Sequence, residues 1–228
     1  MLFQEAALNR NLVIMTLALC LILPVPAFSG VPLETVKGHV DKVLDVLRDS
    51  SLKSEAAKKA RRDKLRAISE KMFDFTELSK RTLAQNWSKL SPEQQKEFIG
   101  LFTSLLETTY INKIMSYTDE KILFTREVPL TEKTVEVRST VLSNKGEIPI
   151  YYRVTIKDDA WRVYDVVIEG VSLVNNYRSQ FKEILSNKPP ESLLETLRKK
   201  VVMLRPEPSR VIPVQGMRAV VMSDSWTL

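Results

Sequence analysis

Asp165 and Glu169 are the first residues to test for acid–base chemistry, because they share one face of a predicted strand. Four residues of strand hold them about 13 Å apart. Paired-carboxylate glycosidic chemistry needs about 5–9.5 Å, so the spacing fits poorly. The chain has one histidine, His39, beside the apolar stripe of a predicted helix, and one cysteine, Cys20, near the start. A lone histidine with no thiol partner and no motif-placed serine offers no nucleophile–base pair. With no second histidine and no thiol cluster, the sequence has no metal-ligand spacing. No Gly-rich phosphate loop is present either. These residues point away from catalysis, and catalytic and metal-binding residues are both read as none.

The elements that carry them follow from periodicity. Leu33, Val36, Val40, Val43, Leu44 and Leu47 recur at helical spacing and predict a first helix with one buried face. Ser54 to Met72 is helical by propensity but thinly apolar. Asp74 with Glu77 three residues on, flanked by Phe73 and Leu78, marks a new N-terminus. Ser91-Pro92-Glu93-Gln94 carries a capping box with proline at the first helical position and opens a helix to about Met115. Its stripe is Phe98, Leu101, Phe102, Leu105, Leu106, Tyr110 and Ile114.

After Asp119 the period changes to two. Segments near 121–129, 133–143, 147–157 and 160–170 are separated by Asn144-Lys145-Gly146 and Asp158-Asp159 and predict an antiparallel meander. The third places Ile148, Ile150, Tyr152, Val154 and Ile156 on one face. The fourth is mixed, with Trp161, Val163 and Val167 on one side and Tyr164, Val166 and Ile168 on the other. Val174, Tyr177, Phe181 and Ile184 mark a further helix. Pro189-Pro190 breaks it, and Ser192 with Glu195 predicts the cap of the last one. The expected class is α+β, a single domain with a twisted antiparallel four-stranded sheet wrapped by helices.

At 228 residues, 44% of them hydrophobic, the chain can bury one substantial core, and its net charge of +6 favours acidic partners. Arg10, the apolar run Leu12–Leu23, Pro24, Pro26 and the small residues Ala27 and Ser29 read as a secretory signal peptide over 1–29. The run is too short to favour a retained membrane anchor. Cutting after Ser29 removes Cys20, so the mature domain, 30–204, would contain no thiol. The stretch 205–228 lacks a period and reads as a disordered or family-external tail.

Phe73-Asp74-Phe75, Trp87, Leu90-Ser91-Pro92-Glu93-Gln94, Glu97-Phe98, Leu101-Phe102 and Leu105-Leu106-Glu107 with Tyr110 resemble the MlaC family of toluene-tolerance proteins. So does Val163–Val174, continuing through Asn176-Tyr177-Arg178-Ser179-Gln180-Phe181. The likeness covers about 33–200 in many ordered blocks. It implies a periplasmic auxiliary of a Gram-negative ABC transport system, with an apolar cavity for phospholipid tails. Such proteins exchange lipid with an inner-membrane ABC complex, through its membrane-anchored substrate-binding subunit, and with an outer-membrane lipoprotein–porin assembly. They maintain outer-membrane lipid asymmetry. Phospholipid would be cargo and no cofactor is implied.

Each acyl methylene exposed to water costs about 0.8 kcal/mol, so two tails require a large apolar shield. The candidate wall residues are Phe98, Leu101, Leu105, Val137, Tyr152, Val154, Val163, Val166, Val174 and Phe181, each of which also reads as ordinary core. Arg178, beside Tyr177 on a helix expected to flank the cavity mouth, suits a lipid phosphate or an ion pair with Glu169 or Asp165. The basic run Lys58–Arg66 suits anionic headgroups, a partner or a solvated helix face. It has no interleaved aromatic residue for base stacking, and export removes nucleic acid as a partner. Two other readings stay open from the residues: an exported enzyme acting on a hydrophobic substrate, and a structural adaptor that binds no lipid.

Overall fold

The computed structural model describes residues 31–116, 120–143 and 146–204. The expected leader 1–29 with Cys20, the expected tail 205–228, Asp119 and the turn residues Asn144 and Lys145 lie outside the described residues. Helix α1 spans Val31–Arg48, and two 3-10 turns, Ser50–Leu52 and Glu55–Ala57, lead into α2 (Lys58–Met72). Their caps are local: Asp49 accepts from the Ser51 N–H, and Ser54 from the Ala57 N–H. The 3-10 turn at 55–57 shortens the helix expected from Ser54.

Helix α3 spans Phe75–Leu83, and the Asp74 carboxylate accepts from the N–H groups of Thr76 and Glu77, as its sequence position predicts. Asp74 also takes the Lys157 ammonium at 2.9 Å, tying the helix start to the sheet. A 3-10 segment, Ala84–Lys89, precedes α4, Pro92–Met115, where both halves of the Ser91/Gln94 capping box form.

Strands β1 (Lys121–Thr131), β2 (Thr134–Ser143), β3 (Gly146–Lys157) and β4 (Ala160–Ile168) form the expected meander. Asp158 and Asp159 make the β3–β4 turn with φ of 49° and 58°, a left-handed pair that acidic side chains tolerate. The sheet has five strands, not four: β5, Val171–Ser172, returns after Glu169-Gly170 and pairs with Val167 and Ile168. Two residues are too few to show a period, so β5 was not visible in the sequence.

Strand β4 also corrects the facial assignment. A register shift lies between Arg153 and Val154, where Val154 pairs with Val163 and Arg153 with Asp165. Tyr164 is the extra residue of that bulge, so Val166 returns to the face of Val163 and Trp161, and Val167 goes to the other.

Helix α5 (Leu173–Asn187) and helix α6 (Pro190–Leu204) complete the fold. The last helix starts at Pro190, not at Ser192, which sits in its first turn and donates its N–H to the Pro189 carbonyl. Proline at a first helical position needs no N–H partner, so the break and the helix start coincide.

The buried apolar residues form two clusters. A helical core gathers α3, α4, α5 and α6 around Phe98, Phe102, Phe181, Leu193, Leu194 and Leu197. A sheet core is closed between α1, α2 and the inner face of the sheet, with Val36, Val40, Leu44 and Leu47 set over Val135, Val137, Tyr152, Val154 and Val163. Phe73, between α2 and α3, packs against both.

Candidate functional site

The eleven residues proposed to meet lipid do not share one cluster. Phe98, Leu105, Val174 and Phe181 lie in the helical core, with Leu101 packed at its edge. Val137, Tyr152, Val154 and Val163 lie in the sheet core, with Val166 at its edge. The phenyl rings of Phe98 and Phe102 each meet Phe181 edge-on at 5.6 and 5.3 Å, and Tyr177 meets Phe102 at 5.0 Å. Such interlocked rings leave little room for an acyl chain without repacking.

The sheet core differs at its margin. Leu33, Val43, Val46, Ile111, Met115, Ile122, Phe124 and Ile150 pack against it while remaining partly exposed. These residues come from α1, the C-terminal end of α4, the edge strand β1 and, through Ile150, the central strand β3, so partly exposed apolar residues continue the seam between helix and strands. The sequence shows the α1 stripe but does not place it in the wall set, and it does not single out Ile122 or Phe124. Their burial against the sheet depends on tertiary packing that no local pattern specifies.

The inner face is almost free of charge. Burial pushes the Tyr152 hydroxyl up to about 12, so it is a neutral phenol, and the neighbouring Ser139 hydroxyl donates to the Ile150 carbonyl. Glu127, which pairs across the strands with Val137, accepts the Leu33 N–H at 2.6 Å. A carboxylate from the edge strand therefore meets the positive end of the α1 dipole and fixes the start of that helix against the sheet. Periodicity gave no hint of this tie.

Arg178 pairs with neither of the carboxylates expected for it. Its Nε and Nη2 donate to the Arg81 carbonyl at 3.0 and 2.7 Å, in the last turn of α3. A guanidinium there satisfies a helix-end carbonyl and complements the dipole. Asp165 is engaged elsewhere: Oδ1 accepts the Val174 N–H, while Oδ2 accepts from Ser172 and from Arg153. The carboxylate thus helps start α5 and anchor the sheet. Glu169 has φ of 49° in the β4–β5 turn, so it does not continue the strand face of Asp165.

Four members of the basic run are bound into the structure. Lys58 pairs with Glu55 and Lys59 with Asp63, Arg61 donates to the Leu47 carbonyl, and Arg66 makes a forked ion pair with Glu107 on α4. His39 lies half-buried on α1, and burial first, then the charges of Lys42, Arg162 and Lys71, lowers its pKa. Surface concavities of about 290 and 410 Å³ lie beside Ile168, Glu169, Val171 and Asn176, and along Thr196, Lys199, Lys200, Met203 and Leu204. None of the eleven residues lines either. Among the described residues, no helix is long and apolar enough to cross a membrane.

The family model described as MlaC protein matches residues 37–199. The intermembrane phospholipid transport system binding protein MlaC of Haemophilus influenzae is 26% identical over 119 residues, which is 50% of this chain and 56% of that protein. The match therefore spans little more than half of that relative. The toluene tolerance protein ttg2D of Pseudomonas putida is 26% identical over 180 residues, covering 78% of this chain and 82% of that one. The solved structure of a phospholipid-binding protein from Ralstonia solanacearum, in complex with a phospholipid, superposes with a TM-score of 0.67 at 27% identity. That likeness covers 76% of this chain and 98% of the other.

Proposed function

This chain belongs to the MlaC family, and on that premise we propose that it is a periplasmic carrier that binds phospholipid by its acyl chains. Its route runs between an inner-membrane ABC complex with a membrane-anchored substrate-binding subunit and an outer-membrane lipoprotein–porin complex. The leader 1–29 directs export and is cleaved. The observation that carries this reading is the sheet core: a valine-rich inner face under α1 whose one carboxylate, Glu127, is engaged by the start of that helix, surrounded by partly exposed apolar residues.

The tails lie between that face and α1, against Val137, Tyr152, Val154, Val163 and Val166. Drug-sized ligands already occupy about 300–1,000 Å³, and two acyl chains need the upper part of that range or more. Loading therefore requires α1 to move off the sheet. The energetic compensation is direct, because the tails replace the α1 side chains as apolar cover for the same strands. No bond is made or broken. Direction follows from the relative affinities of the two docking sites for loaded and empty carrier.

Native mass spectrometry of protein purified from a periplasmic extract, with lipid extraction, tests the reading. Stoichiometric phospholipid is expected, and a reproducibly empty protein would defeat it. Val137→Asp and Val154→Asp should each lower lipid occupancy more than tenfold in the folded fraction, while Lys58→Asp leaves it unchanged. Equal loss at all three positions would mean that the pocket lies elsewhere.

A further inference from the structure

The outer face of the sheet, opposite α1, is built of charge. Glu136 is 4% exposed, and it accepts the Arg138 Nε at 2.9 Å and the Arg153 Nε at 3.2 Å. Arg153 reaches on to Asp165 at 3.1 Å. Two carboxylates are thus shared by two guanidiniums, and the network is internally neutral.

Arg126 disturbs that balance. It pairs directly across β1 and β2 with Arg138, after the register shift between Phe124 and Arg126. Cβ atoms opposite one another on neighbouring strands are about 4.5–5.5 Å apart, and like charges in that position are destabilising. Arg138 is committed to Glu136 and lies over the Tyr151 ring at 4.9 Å. Arg126 is exposed, and the bulge that precedes it sets it on the outer face rather than the inner one.

Around this excess charge the face offers Leu123, 48% exposed, with Val128 and Tyr151 half-buried. Arginine, tyrosine and a protruding aliphatic side chain are the types that anchor protein interfaces. The free edge of β1 is a poor site for strand addition, because Pro129 and two register shifts interrupt it. Contact through the face is the remaining mode.

We infer that the outer face of β1–β3, centred on Arg126, Arg138 and Tyr151, docks an acidic protein surface, one of whose carboxylates sits between the two opposed guanidiniums. A planar fork receives a carboxylate with two parallel hydrogen bonds, and the bound anion turns the like-charge contact into an attractive one. The site is on the opposite side of the sheet from the proposed lipid face, so its occupancy and that of lipid are separable.

Titration of the isotopically labelled full chain with a hexaglutamate peptide, followed by amide NMR, tests the inference. Saturable shifts are expected at Leu123–Val128, Arg138 and Tyr151, suppressed by high salt. Arg126→Ala should weaken binding at least fivefold and Arg126→Glu should abolish it, with lipid content and Tm retained or Tm raised. Shifts that are absent or fall elsewhere would overturn the assignment, as would unaltered binding by Arg126→Ala or a lowered Tm in that variant. Two further outcomes reject it in favour of another occupant. One is Arg126-dependent sedimentation with phosphatidylglycerol vesicles without peptide binding. The other is an Arg126-dependent dimer in analytical ultracentrifugation.

Discussion

The helical core and the sheet core bury their central residues equally well, with Phe98 and Val137 both 0% exposed, yet they are built for different work. In the helical core four aromatic rings interlock across α4 and α5, with Phe98 and Phe102 tilted against each other and the contacts of Phe181 with both, and of Tyr177 with Phe102, edge to face; removing any one leaves a void its neighbours cannot close. In the sheet core a row of valines faces a helix across a seam, and partly exposed apolar residues continue that seam outward. Layers joined by smooth aliphatic surfaces can part and re-cover without breaking interlocked rings. Depth of burial does not distinguish the two cores; the character of the margin does, and it is the margin that favours the sheet core in the proposed reading.

Substitutions separate the two. The largest effect is expected for Phe181→Ala, about 3–5 kcal/mol of stability by urea unfolding, from the cavity left among three rings. Molecules that remain folded should carry as much lipid as the parent, and loss of lipid from the folded fraction would erase the functional division. Leu44→Ala, in α1, should cost about 2–3 kcal/mol and also speed lipid transfer to acceptor vesicles several-fold, because it loosens the cover rather than the body. Unchanged transfer would mean that α1 is not the moving layer. The smallest effect is at His39. Its folded-state pKa lies below its ordinary value, so the folded state disfavours the imidazolium. Stability is full above the unfolded pKa and is lost as pH falls through it toward the folded value. His39→Gln should therefore reduce the fall in Tm between about pH 7.5 and about pH 5 by about 1 °C, read by thermal melts.

What the sequence disclosed was mostly local. Ser91 and Gln94 announce a helix start because both hydrogen bonds close within three residues, and Asp74 does likewise. The meander was legible because each hairpin is short and β3 alternates cleanly. What stayed hidden required a partner. The bulge at Tyr164 depends on how β3 and β4 register, and it reverses the faces of Val166 and Val167. Arg178 had plausible acidic partners in its own neighbourhood, but its carbonyl partner is 97 residues away. The division of the wall candidates into two cores also needed the helix packing, since Phe98 and Val154 look alike as buried apolar residues in a linear pattern. The family likeness fixes the family, but it does not distinguish one buried apolar surface of this chain from the other.

The strand order of the sheet follows the order of the chain, β1 to β5. Every pairing therefore closes a loop of a few residues, at small entropic cost, and the sheet can assemble from successive hairpins. Its cover is remote by comparison: the Leu33–Glu127 tie alone joins positions 94 residues apart. In a folding chain the cheap closures come first, and the valine face is then the surface most in need of shelter. Refolding with and without lipid micelles should differ most in aggregation yield, since any acyl chain present can shield that face before α1 arrives.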